Sequence, residues 1–333
     1  MSAAVDTLLG ADLLSVAQLS RAGIVEVLEA AEAFAEVSRR SVPRVPTLRG
    51  KLVATLFFEE STRTRMSFET AAKRLSADVA SLAVGSSSVK KGESLRDTAL
   101  TVEALGADVV IVRHHDSGAP ARVAGWLRDA RVINAGDGWH EHPSQALLDC
   151  FTVREAWCAA RGAASEGTGA APFDGLEVLI VGDIRHSRVA RSEVLCYRAL
   201  GANVTLCAPT TLLPRDAGDW GVEIAGDFED ALRRADVVSL LRLQTERGSG
   251  AFVPSLEEFT ATHGLTERRA ALLKPTALVT HPGPMVRGVE IASAVADAHN
   301  ALVTRQVTNG VAVRMAILYL VLGGEPGLLE AAS

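Results

Sequence analysis

Ser61-Thr62-Arg63-Thr64-Arg65 sets three hydroxyls and two guanidiniums side by side, directly after Leu56-Phe57-Phe58-Glu59-Glu60. Groups of these kinds suit an oxyanion. The segment falls where a hydrophobic strand over 51–58 hands over to a helix whose apolar spacing is Met66, Phe68 and Ala72. Its hydroxyls therefore stand at a helix start, where backbone N–H groups without helical acceptors and the positive dipole end favour phosphate or carboxylate. Arg63 and Arg65 add permanently charged forks suited to bidentate contacts. The plainer alternative is an ordinary N-cap followed by solvated arginines.

Further along the chain, Arg113 closes the apolar run 108–112, at the carboxyl edge of an expected strand. It is followed by His140-Glu141-His142-Pro143-Ser144-Gln145, in which the two histidines lack the one-face spacing of a helical H-E-x-x-H site. No metal is expected there. His142 instead suits donation to a carbonyl oxygen that gains charge in a transition state, and Gln145 offers an amide donor and acceptor beside it. The bland reading is a loop histidine next to an N-capping Ser144. In the second half, Val178-Leu179-Ile180-Val181-Gly182-Asp183 opens like a dinucleotide-binding unit, but the turn through Arg188 lacks G-x-G-x-x-G, so NAD is not expected. Arg188 at a strand's carboxyl end reads either as a ligand contact or as part of a solvated basic turn. Arg242-Leu243-Gln244-Thr245-Glu246-Arg247 follows a strand ending at Leu241 and carries the same two readings. His281-Pro282-Gly283-Pro284 is a rigid turn whose carbonyls can face a small ligand.

These residues need elements to position them. Strands are expected over 51–58, 79–83, 108–112 and 132–134, and again over 178–181, 203–207, 237–241 and 277–280, each followed by helical or loop sequence. Such alternation implies an α/β fold with two domains, each a parallel sheet flanked by helices. A length of 333 residues agrees with two cores. Helices are also expected over 20–38, 144–160 and 311–322, with a Gly-, Ala- and Ser-rich linker over 161–172. A hydrophobic content of 48% and a charged content of 22% describe a globular chain, and a net charge of −6 argues against nucleic-acid binding. Any anion site must be built locally. The apolar stretch 315–322 is too short to span a bilayer, and Asp6 and Asp12 stand where a secretory signal would be basic, so a cytoplasmic location is expected. Cys150, Cys158, Cys196 and Cys207 form no C-x-x-C pair and read as reduced core residues.

Taken together, S-T-R-T-R after F-F-E, H-P-S-Q at 142–145 and H-P-G-P at 281–284 resemble the motifs of the aspartate/ornithine carbamoyltransferase family. The resemblance covers nearly the whole chain. It implies transfer of the carbamoyl group of carbamoyl phosphate to an amino acid, without a cofactor. Carbamoyl phosphate would meet Ser61, Thr62, Arg63, Thr64, Arg113, His142, Gln145, Gly283 and Pro284, with His142, Arg63 and Thr64 catalytic. R-x-Q-x-E-R at 242–247 and the absence of the ornithine enzymes' His-Cys-Leu-Pro favour L-aspartate, held by Lys91, Arg188, Arg242 and Gln244. Ornithine, another amine, or a silent regulatory homologue are the alternatives. The polar, basic loop 85–93 would reach a neighbouring subunit through Lys91, with Ser87 second, although Val89 stands where the family often has Gly. Val286 likewise departs from N-R-G-V-E. The implied assembly is a homotrimer with shared sites, open to further association with regulatory or other pyrimidine-pathway chains, and with no membrane or nucleic-acid partner. The implied domains are 1–145 for carbamoyl phosphate, with the C-terminal helix from about 305 packing back on it, and 146–304 for aspartate.

Overall fold

Each apolar run expected to form a strand does so. The computed structural model describes residues 4–83, 92–164, 167–244 and 252–324. Its first part runs α1 (Arg21–Arg39), β1 (Leu52–Phe57), α2 (Thr62–Arg74), β2 (Asp78–Ala83), α3 (Leu95–Ala104), β3 (Val109–His114), α4 (Ala119–Trp126), β4 (Arg131–Asp137) and α5 (Pro143–Ala159). Then follow β5 (Glu177–Val181), α6 (Arg188–Leu200), β6 (Asn203–Cys207), β7 (Glu223–Ile224), α7 (Phe228–Arg234), β8 (Val237–Leu240), α8 (Leu256–His263), α9 (Glu267–Ala270), β9 (Leu278–Thr280), α10 (Ser293–Ala296) and α11 (Val303–Val321).

The strands assemble into two sheets, ordered β2-β1-β3-β4 and β7-β6-β5-β8-β9, with every described pairing parallel. Burial on both faces explains the unbroken apolar runs: Val109, Val110, Ile111 and Val112 have no exposed surface. β7 was not anticipated because both its residues are exposed and it pairs only at the edge of β6, so it carries no hydrophobic signal.

The chain divides into two compact units, 1–151 with 307–333, and 152–306. The division falls within α5, slightly later than the expected boundary after 145. In the first unit both terminal helices pack on the same core. The Phe34 and Tyr319 rings meet edge to face at 5.6 Å, and the Ser38 hydroxyl lies 4.0 Å from Met315 Sδ. α1 starts where the sequence places it, with Ser20 accepting from the Gly23 N–H at 3.3 Å.

Several expectations are corrected. α11 begins at Val303, well before 311, because its first turn is polar and is tied down through Arg305 to Glu155 at 3.0 Å. Met66 was expected on the apolar face of α2 but is 60% exposed, and Phe68, Ala71 and Ala72 form the buried stripe. Ser144 is not an N-cap: Pro143 already opens α5, and Ser144 lies fully buried in the first turn with its hydroxyl unpaired.

Candidate active site

In the first unit, the turn after β1 delivers Ser61 as the N-cap residue of α2, with extended backbone at φ −161 and ψ 91 and no side-chain cap bond. Its hydroxyl is thus not consumed in capping. Thr62, Arg63 and Thr64 follow as the first helical residues, whose N–H groups have no acceptor within the helix. Thr62, Arg63 and Arg65 are exposed, whereas Thr64 is buried, with Oγ1 3.4 Å from His142 Nε2. Residues two apart on a helix diverge by roughly 200°, so Arg63 and Arg65 leave α2 in different directions.

Arg113 does not follow its strand, as expected, but lies within it. β3 continues to His114, and Arg113 pairs with Phe57 of β1. The guanidinium is largely buried, donating from Nη1 to the Ala135 carbonyl at 3.1 Å, with Glu59 Oε2 3.4 Å from Nε. Glu59, unremarked in the sequence beyond its place in F-F-E, thus fixes this arginine. Behind it, the His114 ring packs 4.8 Å from Phe58, and burial together with the neighbouring His115 lowers its pKa, which favours the neutral imidazole. His114, His115 and Asp116 bring potential ligand atoms within 4.8 Å of one another, but His114 Nδ1 already accepts from the Asp116 N–H at 2.9 Å.

The turn between β4 and α5 is held by Asp137, which accepts from the Gly118 N–H at 2.6 Å, Asn134 Nδ2 at 2.9 Å and the Glu141 N–H at 3.1 Å, with His140 Nδ1 at 3.0 Å. Burial raises the Asp137 pKa, but the hydrogen bonds from His140, Gly118 and Asn134 outweigh it and hold the carboxyl below its ordinary range. The Glu141 carboxylate reaches to the N-terminal segment: its oxygens accept from the Ser15 hydroxyl and, at 2.8 Å, from the Val16 N–H, with Oε1 4.0 Å from His140 Nε2. His142 and Gln145 are thereby presented at the start of α5, with Gln145 Nε2 donating to Asp149 Oδ1 at 2.9 Å. Asp149 escaped the sequence reading, although its spacing of four from Gln145 on a helix is the signal that pairs them.

The second unit holds the other residues. Gly182 follows β5 at φ +126, and a Cβ there would stand 2.5 Å from the Leu241 carbonyl. Only glycine permits this approach of the chains after β5 and β8. It seats Asp183, fully buried, which accepts from the Gln244 N–H at 3.3 Å and lies 2.8 Å from His186 Nδ1. Asp183 thus joins the Arg188 turn to the Arg242–Gln244 segment. Arg188 opens α6 and is 4% exposed, so the solvated basic turn is ruled out. Arg242 and Gln244 are half-buried. Lys91, Ser87 and Val89, as well as Glu246 and Arg247, lie outside the described residues.

In the turn after β9, His281 Nδ1 accepts from the Gly283 N–H at 2.9 Å while Nε2 meets Glu290 Oε1 at 3.1 Å. Gly283 has φ +67 and its bond to Pro284 is cis. Val286 reaches Glu290 through its backbone N–H at 2.5 Å. Any residue but proline supplies that contact.

The family model described as the carbamoyl-P binding domain of aspartate/ornithine carbamoyltransferases matches residues 11–155, and that of the Asp/Orn binding domain matches 174–321. The chain belongs to the aspartate/ornithine carbamoyltransferase family. It is 54% identical over 312 residues to an aspartate carbamoyltransferase catalytic subunit of Parafrankia sp. (strain EAN1pec), covering 94% of this chain and 96% of that one. The corresponding subunit of Thermobifida fusca (strain YX) is 53% identical over 312 residues, covering 94% and 95%. Among solved structures, Trypanosoma cruzi aspartate transcarbamoylase in complex with carbamoyl phosphate and aspartate superposes with a TM-score of 0.81 at 30% identity, covering 96% of this chain and 99% of that one. The same enzyme with carbamoyl aspartate and phosphate gives 0.80 at 29%, covering 96% and 98%. Within this carbamoyltransferase chain, no helix among the described residues is long and apolar enough to cross a membrane. The four cysteines are buried and form no disulfide, and burial pushes the Cys207 thiol up to about 12.

Proposed function

We propose that this chain transfers the carbamoyl group of carbamoyl phosphate to the amine of L-aspartate, giving N-carbamoyl-L-aspartate and phosphate, in the cytoplasm and as a step of de novo pyrimidine (UMP) synthesis. The observation that carries this reading is the convergence of Thr64 Oγ1 and His142 Nε2, 3.4 Å apart, beside the N-terminus of α2. An oxygen set against both atoms meets two potential donors, while Ser61, Thr62, Arg63 and Arg113 take the phosphate. Carbamoyl phosphate thus falls to residues 1–145 with the C-terminal segment, and aspartate to 146–304.

The aspartate amine attacks the carbamoyl carbon and a C–N bond forms. Thr64, His142 and Arg63 stabilise the oxyanion, the C–O bond to phosphorus breaks, and the departing phosphate takes the amine proton. No side-chain nucleophile is needed, so catalysis rests on positioning and electrostatic preorganisation. Arg188, Arg242, Gln244 and Lys91 receive the two carboxylates of aspartate, and the Gly283-Pro284 turn offers carbonyls to the carbamoyl amine.

The active unit in this reading is a trimer in which Lys91 comes from the neighbouring subunit. Mixing inactive Lys91→Ala with inactive His142→Ala subunits then restores part of the activity, and verified mixed trimers without recovery would count against sharing. The reaction itself is tested by supplying carbamoyl phosphate with a panel of amino acids. N-carbamoyl-L-aspartate is the expected product, and carbamoylation of ornithine at an equal or higher rate would overturn the assignment.

A further inference from the structure

Gln145 has a chemical choice that its own sequence position does not make. A side-chain amide can turn either its NH2 or its carbonyl oxygen toward a ligand, and the carbamoyl group presents both an N–H donor and a carbonyl acceptor. In the structure, Asp149 makes the choice. It stands one turn further along α5, has no exposed surface, and accepts from Gln145 Nε2 at 2.9 Å. A carboxylate only accepts, so the amide must face it with nitrogen and carry Oε1 away from it.

The charge opposite this carboxylate is built into the core. Arg314 of α11 is buried, donates from Nη1 to Ser67 Oγ on α2 at 3.0 Å and to the Gly310 carbonyl at 3.1 Å, and lies 5.1 Å from the centre of the Phe68 ring. Burial lowers the Arg314 pKa to about 10 while Asp149 acts to raise it, so the guanidinium stays charged at neutral pH. Room for it comes from Gly310, where a Cβ would stand 2.6 Å from Arg314 Nη1 and 3.2 Å from a methyl carbon of Leu148. Opposite charges buried in this way do not serve solvent or surface. One end holds Gln145 and the other holds α2, the helix that begins at Thr62.

We propose that Asp149 is a positioning residue for specificity: it locks Gln145 with Oε1 toward the substrate, where that oxygen accepts from the amine of a carbamoyl group and rejects acyl phosphates that carry a methyl there. The inference rests on the reading above that carbamoyl phosphate is the donor substrate. Acetyl phosphate, nearly isosteric with a methyl in place of the amine, leaves Oε1 unpaired in the occupied site. Discrimination on the order of ten- to a hundredfold follows from one such mismatch.

The test is the ratio of the acetyl phosphate inhibition constant to the carbamoyl phosphate KM, measured for the wild-type enzyme and for Asp149→Asn. The substituted amide can donate as well as accept, so Gln145 is released to turn over. The ratio is expected to fall about tenfold or more, whereas general loosening of the fold would weaken both ligands alike. In a Gln145→Ala background, Asp149→Asn is expected to leave the ratio unchanged. Should Asp149→Asn fail to fold through the stranded Arg314 charge, the double variant Asp149→Asn with Arg314→Met removes both charges and carries the same measurement. A folded variant with the wild-type ratio, or a further drop in the Gln145→Ala background, overturns the inference alone. Absence of carbamoyl transfer by the wild-type enzyme removes the substrate reading and the inference with it.

Discussion

Arg63 and Thr64 are neighbours in sequence and opposites in environment, one exposed and the other buried against His142. Their substitutions therefore report different things. Arg63→Ala is expected to leave thermal unfolding within a degree or two of wild type, since surface changes cost about 0.5 kcal/mol or less. It is expected to lower kcat/KM by at least roughly a hundredfold, the usual cost of an oxyanion donor. A folded Arg63→Ala enzyme with near wild-type turnover would remove this residue from the site. The S-T-R-T-R residue types announced an anion site, but which arginine serves it is a matter of helical phase, set only when α2 is placed. The Glu59 contact to Arg113 was equally hidden, because it joins the end of one strand to its neighbour across the sheet.

Two elements carry the sharpest stability consequences. Gly182→Ala would force a Cβ to within 2.5 Å of the Leu241 carbonyl at a φ of +126, a backbone conflict that costs on the order of 1–3 kcal/mol or more. Calorimetry is expected to show a lowered midpoint. An unchanged midpoint would mean that the chains after β5 and β8 can separate without penalty. In the first unit, the turn between β4 and α5 depends on Asp137, whose folded pKa lies below its unfolded value. Its stabilisation is therefore complete above pH about 4, near the unfolded value, and is lost as pH falls through the folded value. Asp137→Asn is expected to cost about 1.5–3 kcal/mol at pH 7, the worth of a hydrogen bond to a charged group. It should also flatten the acid limb of the stability profile, and denaturant titrations across pH 3–7 read both effects.

At the scale of the whole molecule, the first unit is closed by a helix from the far end of the chain. Val313, Met315, Ala316, Ile317, Leu318 and Val321 have no exposed surface, and Tyr319 and Leu320 have almost none. Each large apolar side chain contributes about 1.5–3 kcal/mol by burial, so their sum is comparable to or larger than the roughly 5–15 kcal/mol that holds a domain together. A chain ending at Gln306 is accordingly expected to lose the cooperative transition of the first unit, visible as a missing calorimetric peak. Substrate use should divide along the same two units. Arg242→Ala is expected to raise the KM for aspartate on the order of tenfold or more, since a charged hydrogen bond is worth about 1.5–3 kcal/mol. Carbamoyl phosphate binding should change little, and equal losses for both substrates would contradict the proposed division of labour.

The sequence by itself determined what is local. Parallel strands buried on both faces must be continuously apolar, so their positions were legible. Helix starts follow local sequence, so the beginnings of α1 and α2 were legible near Ser20 and Ser61. A phosphate site needs hydroxyls and arginines, and the motifs at 61–65, 142–145 and 281–284 carried the family resemblance. Tertiary structure decided everything that depends on which distant residues meet. Thr64 and His142 are 78 positions apart, and Arg314 and Ser67 are 247 apart. No period or propensity encodes those separations. Burial also turned residues that read as polar decoration into fixed parts: Asp149 beside Gln145, Asp183 between two loops, and Arg188, which the sequence allowed to be solvated. The reason is physical: a charge costs little in water and several kcal/mol inside a core unless it is paired, and only the packed chain shows where water has been removed.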